Sequence, residues 1–254
     1  DFLIACIAAT NAQGVTEYQS RRFSTYTGSL RELRDWLLAN DCKDVCMEST
    51  GKYWFPVHNI LEESCHVVVS HPKFVKAIKG KKTDLFKHDL VRGSFIPPKD
   101  IRQLRDLCRY WVKLSSYMTG EKNRAQNCLT VSNFKLDDVF SNVFGKSASA
   151  ITTQLLEHPG EQFDVAPFVD GRCKTPIAQI QEAVDGIFTY EQAEKLKIIR
   201  GHMDSLERHK AELESLILEI AQNYLPQIEL LLTVPGIHDA FTAIRILAEI
   251  GADM

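Results

Sequence analysis

The sequence lacks the features that cross-link a small secreted domain or carry a chain across a membrane. Its seven cysteines are scattered, and only Cys42 and Cys46 lie close together. The odd number and the missing ligand spacing argue against a disulfide framework and a zinc site, so reduced thiols in a cytosolic protein are expected. No run of about 18 apolar residues is present, so no membrane span is expected. No basic-then-apolar leader is seen either; the chain opens directly in a strand-like run, which places its expected true start further upstream.

A large excess of charge of one sign is also missing. The formal net charge of −3 at pH 7 excludes a uniformly basic nucleic-acid binder, although it leaves room for a local basic face. Hydrophobic residues make up 44% and charged residues 25% of the chain, which are ordinary values for a globular protein. A length of 254 residues suits one large domain or two ordinary ones.

Apolar runs and helical periodicity alternate through the first third of the chain. They predict strands at residues 2–8, 15–23, 44–47 and 66–70, and helices at residues 29–40, 54–63 and from Pro72 onward. Ser29 is the predicted cap of the first helix. A hairpin followed by helix-connected strands predicts a mixed sheet flanked by helices. An RNase H-like sheet has this order but begins with one more strand, placed centrally, which would precede Asp1.

One of the short strands delivers a carboxylate to a turn. Glu48 follows the apolar run and stands just before Thr50 and Gly51, an arrangement that either holds a metal ligand at the edge of a sheet or simply ends a strand. The functional interpretation is favoured by a basic stretch further on, which ends in Asp84. The cations of this region are Lys73, Lys76, Lys79, Lys81 and Lys82, followed by Arg92 in a loop.

A long helix predicted at residues 100–121 has two stripes. One stripe is apolar and suits burial. The other carries four cations at spacings of three, four and four residues, namely Arg102, Arg105, Arg109 and Lys113. A solvated surface is the usual meaning of such a stripe. Four cations with no alternating acids also fit contact with phosphates, so both interpretations stay open.

The clearest periodic element is a helix predicted to begin after Thr189. Alternating steps of three and four residues define its seam, which consists of Leu196, Ile199, Met203, Leu206, Lys210, Leu213, Ile217 and Ile220. This sustained spacing predicts a coiled coil at residues 196–220 that joins copies of the chain. A long helix packed on its own domain is the alternative. Lys210 on the seam favours a particular register or a two-stranded pairing.

A turn around Pro235 and Gly236 separates two further predicted helices. The pattern fits a helix-hairpin-helix, whose turn points backbone N–H groups at a phosphate. A plain helical turn fits it at least as well.

Five motifs run in order along the chain. They are CMESTGKYW at residues 46–54, KTD at 82–84, LVRGSFIPP at 90–98, VFGKS at 143–147 and LTVPGI at 232–237. Together they resemble the DEDD transposases of the IS110 class of insertion sequences, the bridge-RNA-guided recombinases. The resemblance covers nearly the whole chain, and its strength lies in the order of the motifs, since any single one would be weak.

The resemblance implies an α/β fold with an RNase H-like (RuvC-like) mixed sheet, whose four acids bind two divalent metals, normally Mg²⁺. It also implies a coiled coil and a second transposase domain. That domain carries a nucleophilic serine, expected beyond Met254, that links covalently to DNA. The family recombines donor and target DNA, each paired to loops of one structured bridge RNA, within a tetramer. Such a protein is expected at the nucleoid in the cytoplasm of a bacterium or archaeon.

The resemblance assigns two of the four acids to this sequence. Glu48 corresponds to the second acid and Asp84 to the third, so both are expected to be catalytic metal ligands. The first acid is expected a few residues before Asp1. The fourth position holds Lys87, and the family pattern resumes abruptly at Leu85. Either residues are missing after position 84 or this copy of the element has decayed; the intact flanking motifs favour a gap.

Four regions are predicted. They are a RuvC-like DEDD domain at residues 1–120, a helical connecting region at 121–188, the coiled coil at 189–226 and the start of a C-terminal helical transposase domain at 227–254. The predicted function is a bridge-RNA-guided DNA transposase that contacts nucleic acid through the lysines and arginines named above and assembles as a dimer or tetramer. The alternatives are a RuvC-like metal-dependent nuclease or junction resolvase without guide RNA, and a non-catalytic nucleic-acid-binding coiled-coil oligomer.

Overall fold

The computed structural model describes residues 1–73 and 91–252, which belong to two compact units, Asp1–Pro97 and Pro98–Met254. The strands that it describes all lie in the first unit, and the second unit is helical. The helix predicted from Pro72 runs into residues outside the described ranges. Within those ranges, no helix is long and apolar enough to cross a bilayer. The four-part division of the chain stays a prediction.

The first unit begins with a β-hairpin, as predicted. β1 (Phe2–Thr10) pairs antiparallel with β2 (Thr16–Ser24). Asn11 shapes the connecting turn, because its side-chain oxygen accepts hydrogen bonds from the main-chain N–H groups of Gln13 and Val15, each at 3.0 Å. An asparagine that bonds to its own backbone in this way favours a turn, so the local sequence helps to fix the register of the hairpin.

Two shorter strands form a parallel pair. β3 (Asp44–Glu48) runs beside β4 (His66–Ser70), and both strands lie where the sequence predicted them. The single mixed sheet that the sequence predicted is not formed by the described residues, which instead make two separate two-stranded sheets. The reason is that no strand in the described part of the chain bonds to the remaining edge of β1 or of β3.

The helices of the first unit are α1 (Thr27–Ala39) and α2 (Trp54–Leu61). The predicted cap at Ser29 is wrong, since α1 begins earlier. The Ser29 hydroxyl oxygen instead accepts from the N–H of Ser24 at 3.1 Å, which ties the helix to the end of β2. One apolar face of α1 is buried, and it packs with residues from β1, β2 and α2 in a core of Ile7, Phe23, Leu33, Trp36, Leu37, Leu61 and Cys65.

The second unit is built from seven α-helices in the described residues. They are α3 (Lys99–Val131), α4 (Leu136–Val139), α5 (Lys146–Glu157), α6 (Ile177–Ala183), α7 (Tyr190–Ala221), α8 (Leu225–Leu232) and α9 (Ala240–Ile250). The helix predicted to end near residue 121 continues to Val131. Its apolar stripe continues as well, since Ala125, Cys128 and Leu129 are buried, and burial of that stripe is what stabilises a helix of this length.

The two long helices, α3 and α7, pack against each other within this unit. The predicted coiled-coil seam supplies the contact: Leu206, Leu213 and Ile217 share one core with α3, and Leu196 and Ile199 share another. The seam is therefore covered by the same chain, as the alternative interpretation of a helix packed on its own domain expected. Homo-oligomerisation through residues 196–220 stays a prediction that rests on the heptad spacing and on the resemblance.

Lys210, the one polar residue of the seam, has a partner on α3. Its ammonium group lies 4.7 Å from the ring centroid of Trp111, within the range of a cation–π interaction. The indole N–H of Trp111 donates to the Glu214 carboxylate at 2.7 Å. These two polar contacts occur at one level of the helix pair, so they favour the register in which α3 and α7 pack.

Tyr224 ties the segment between α7 and α8 to the start of α3. Its hydroxyl donates to a carboxylate oxygen of Asp100, and the other Asp100 oxygen accepts from the N–H of Ile101 at 2.9 Å. Burial, followed by the hydrogen bond to Asp100, raises the pKa of Tyr224 to about 12. Both causes favour the neutral phenol, so this contact stabilises the fold only while the hydroxyl keeps its proton.

We expect Tyr224→Phe to lower the free energy of unfolding by about 1.5–3 kcal/mol at pH 8, the usual loss for a hydrogen bond to a charged group. The folded-state pKa is raised, so the advantage of wild type over the variant is complete below pH 10 and shrinks as the pH rises towards about 12. Urea unfolding of both proteins between pH 8 and pH 11.5 measures this difference. Tyr190→Phe is the matched control, because Tyr190 is 83% exposed. The prediction would be contradicted if wild type and Tyr224→Phe differed in free energy of unfolding by the same amount at every pH.

Candidate functional site

Glu48 lies where the carboxyl ends of two parallel strands meet. It is the last residue of β3, half-buried, and pairs across the ladder with Ser70 at the end of β4. The pairing continues one residue further, because the N–H of Ser49 donates to the Ser70 carbonyl at 2.9 Å. The carboxyl edge of a parallel sheet is where α/β folds place their sites. The structure thus puts Glu48 at the strand end that the sequence predicted for it.

The segment that carries Arg92 is tied to the same edge. The buried Ser70 hydroxyl donates to the main-chain carbonyl of Arg92 at 2.9 Å, and the N–H of Ser94 donates to the Val69 carbonyl at 2.7 Å. Lys73, which is exposed, follows the end of β4 by three residues. The structure therefore brings two predicted phosphate contacts, Lys73 and Arg92, to the carboxyl ends of β3 and β4, where Glu48 lies.

A tight turn carries the chain away from Glu48. The N–H of Thr50 donates to the Glu48 carbonyl at 2.9 Å, and Gly51 has a φ of +53°, a left-handed conformation that glycine adopts without steric cost. Tyr53 follows and is 77% exposed, whereas Trp54 stacks on Phe55 with ring centroids 4.0 Å apart. The turn thus presents an aromatic ring to solvent close to the candidate acid.

The described residues supply only part of the implied metal site. Glu48 offers a carboxylate, which is the ligand type that Mg²⁺ prefers. Within residues 1–73 and 91–252, however, no three His, Cys, Asp or Glu side chains converge as a metal site would require. Asp84 lies outside the described ranges, as do Lys76, Lys79, Lys81 and Lys82. The described part of the chain therefore does not by itself fit a two-metal centre.

The cationic stripe of α3 does not lie open along its length. Arg105 donates to the carbonyl oxygens of Ala248 and Glu249, at 2.7 and 3.1 Å. These are among the last carbonyls of α9, which have no partner inside the helix, and a cation there also complements the helix dipole. Arg105 is thus a structural residue that holds the end of α9 against α3.

Arg109 forms a two-point ion pair with the same helix end. Its Nε and one terminal nitrogen donate to the two oxygens of Glu249, at 2.8 and 2.7 Å. The hydrogen bond raises the pKa of Arg109 and lowers the pKa of Glu249. Of the other two cations, Arg102 is half-buried and Lys113 is exposed. The helical spacing that predicted this stripe carried no sign of Glu249, which is 140 residues away from Arg109 in sequence.

The turn between α8 and α9 has a cap of its own. Asp239 precedes α9, and its carboxylate accepts from the N–H of Thr242 at 2.8 Å and from the Thr242 hydroxyl at 2.7 Å. These bonds lower the pKa of Asp239. A carboxylate therefore occupies the helix start at which a helix-hairpin-helix would bind a phosphate, and the plain helical turn is the interpretation that the geometry favours.

An acid at the carboxyl end of a parallel strand pair lies where α/β folds place their sites. The class of the protein comes from comparison with known families. A family model described as a transposase, of the DEDD IS110 type, matches residues 5–133, about half of the chain. The chain belongs to this transposase family, so its substrate is DNA. A search of curated proteins gave no match.

Proposed function

We propose that this transposase is a bridge-RNA-guided recombinase that cuts and rejoins donor and target DNA. The observation that carries the proposal is the position of Glu48: the acid of the family motif ends β3 at the edge where β3 and β4 run parallel. The family match over residues 5–133 includes this motif. The same proposal has the enzyme act at the nucleoid, in the cytoplasm of a bacterium or archaeon.

The proposed fold is an RNase H-like, RuvC-like sheet. β1 and β3 each have one edge that bonds to no strand in the described residues. A central strand between these edges would join the antiparallel and the parallel pair into one mixed sheet, as the resemblance requires. Such a strand would lie beside β3 and would carry the first acid of the family towards Glu48.

Glu48 and Asp84 are the proposed holders of a divalent cation, Mg²⁺. When bound, such an ion stabilises charge that develops on phosphate oxygens. Lys73 and Arg92 then hold the phosphates of DNA at the carboxyl ends of β3 and β4. The lysines at positions 76, 79, 81 and 82, which lie outside the described residues, are further proposed phosphate contacts. The nucleophile would be a serine of the second transposase domain of the family.

The cationic stripe on α3 is the proposed contact for the guide RNA. Recognition of duplex RNA relies on its backbone and shape, so a row of cations at helical spacing suits it. Lys113 is exposed and can reach phosphates directly. Arg109 is also exposed but is paired with Glu249, and Arg105 is held at the end of α9. Assembly into a dimer or tetramer belongs to the same proposal.

Purification of the protein tests whether it binds a guide RNA. We expect the protein, expressed with its own element, to retain RNA of discrete length and to show a high ratio of absorbance at 260 nm to that at 280 nm. Treatment with ribonuclease should lower that ratio and abolish recombination of donor and target DNA, whereas treatment of the protein alone with deoxyribonuclease should change neither. DNA cleavage by RNA-free protein would support the junction-resolvase alternative, and nucleic-acid binding without any cleavage would support the non-catalytic one.

A further inference from the structure

Glu249 occupies the guanidinium of Arg109, which the proposed RNA contact needs. The guanidinium of Arg109 presents two parallel N–H bonds to Glu249, at 2.8 and 2.7 Å. A phosphate accepts the same two-point geometry. A guanidinium cannot present that edge to both anions at once, so Glu249 and a phosphate compete for Arg109.

The pair is exposed enough to be exchanged. The side chain of Arg109 is 64% and that of Glu249 is 47% exposed, and ion pairs this open to water contribute little to stability. The neighbouring Arg105 behaves differently, because its side chain is only 23% exposed and its hydrogen bonds go to main-chain carbonyls of α9, while its Nε lies 3.9 Å from a Glu249 carboxylate oxygen. Arg105 can therefore keep α9 in place while Arg109 changes its partner.

We propose that Glu249 is an internal competitor that occupies Arg109 until a nucleic-acid phosphate displaces it. The inference rests on the proposed RNA-binding role of α3. The consequence is selectivity for a polyanion over a single phosphate. An isolated phosphate must displace the Glu249 carboxylate by its contact with Arg109 alone. A polyanion also contacts Lys113, and this second contact supplies the binding free energy for the displacement. Charged groups near the pair, among the described residues, include Arg105 and Asp106 on α3 and Arg245 on α9.

The exchange predicts a particular dependence on salt. In wild type, binding of a phosphate to Arg109 releases a cation that was condensed on the nucleic acid, but the freed Glu249 carboxylate attracts a cation in its place. With Glu249→Gln no carboxylate is freed, so the release of that cation is not offset. The slope of log Kd against log salt concentration should therefore be steeper in the variant, by about 1 at most.

The test uses the full chain and a fluorescein-labelled 30-base-pair RNA duplex, with Kd measured between 50 and 200 mM KCl. Glu249→Gln should tighten binding about three- to fivefold at the lower salt, the range that an exposed pair allows. Arg109→Gln should weaken binding, and the double variant Arg109→Gln/Glu249→Gln should bind no tighter than wild type. Glu157→Gln, which removes one exposed carboxylate from α5, is the control for net charge and should match wild type.

The outcomes separate the competitor from the RNA contact itself. If Arg109→Gln weakens binding but Glu249→Gln binds like Glu157→Gln, then the competitor is overturned and the RNA contact stands. If both Arg109→Gln and Glu249→Gln match wild type, then Arg109 does not contact RNA, and both the competitor and the proposed role of Arg109 fail. Circular dichroism of each variant shows whether the helices remain, and tighter binding by Glu249→Gln with weakened helices would also overturn the proposal.

Discussion

Glu48→Gln should lower the rate of DNA cleavage by more than about 100-fold and leave the fold intact. The change keeps the size of the side chain and removes its negative charge at the end of β3. Stabilisation of developing charge by a bound metal ion is worth several kcal/mol, and each 1.4 kcal/mol corresponds to about a tenfold change in rate. The measurement is cleavage of labelled donor DNA by wild-type and variant protein, each loaded with its RNA.

Asp44→Asn provides the matched control for this loss. Asp44 begins the same strand that Glu48 ends, and its carboxylate is exposed and lies 3.0 Å from the ring nitrogen Nδ1 of His66. The same acid-to-amide change at this far end of β3 should leave cleavage within about twofold of wild type, since surface ion pairs contribute little. If the variant Glu48→Gln cleaved DNA as fast as Asp44→Asn, Glu48 would merely end a strand and the catalytic assignment would be lost.

Gly186→Ala should destabilise the helical unit by about 3 kcal/mol. Gly186 lies between α6 and α7, and a Cβ atom there would stand 2.5 Å from the main-chain oxygen of Ser132 and 2.8 Å from the Phe134 ring. Neither neighbour can yield easily. The Ser132 oxygen accepts from the N–H of Ile187 at 3.0 Å, and Phe134 is buried against Phe188. Overpacking of a closed site costs about 1–3 kcal/mol or more.

The opposite effect on the free energy of unfolding is expected from alanine at Gly201, within α7. No atom outside its immediate helical surroundings lies within 4 Å of a Cβ built there, and alanine is the better helix former by about 0.8–1 kcal/mol. Gly201→Ala should therefore raise the free energy of unfolding, while the same substitution at Gly186 lowers it. Urea unfolding followed by circular dichroism measures both. Equal effects at the two positions would mean that the space around Gly186 is not closed.

Much of the first unit could be predicted because its signals are local. Residues 2–24 contain two apolar-patterned runs around an asparagine turn, and they form the hairpin β1–β2. The run that ends in Glu48 forms β3 and places the acid at a strand end, as predicted. The single mixed sheet that the sequence predicted is not formed by the described residues, which make two separate strand pairs, so the joining of these pairs stays a proposal.

The seam of α7 shows where a pattern stops being informative. Its spacing of three and four residues correctly predicted a long helix with one apolar face. Periodicity defines which face is buried but not what covers it, and a second copy of the chain would satisfy the same pattern as another helix. In the structure, α3 of the same unit covers the seam, and Lys210 lies over Trp111.

By itself the sequence determined the family, the order of strands and helices, the place of Glu48 and the apolar face of each long helix, because these depend on residues a few positions apart. Only the tertiary structure decided that α3 fills the α7 seam, that Glu249 binds Arg109 and that Gly186 is closed in by Ser132 and Phe134. These contacts join residues far apart in the chain. No periodicity links such residues, since their meeting follows from how the helices pack.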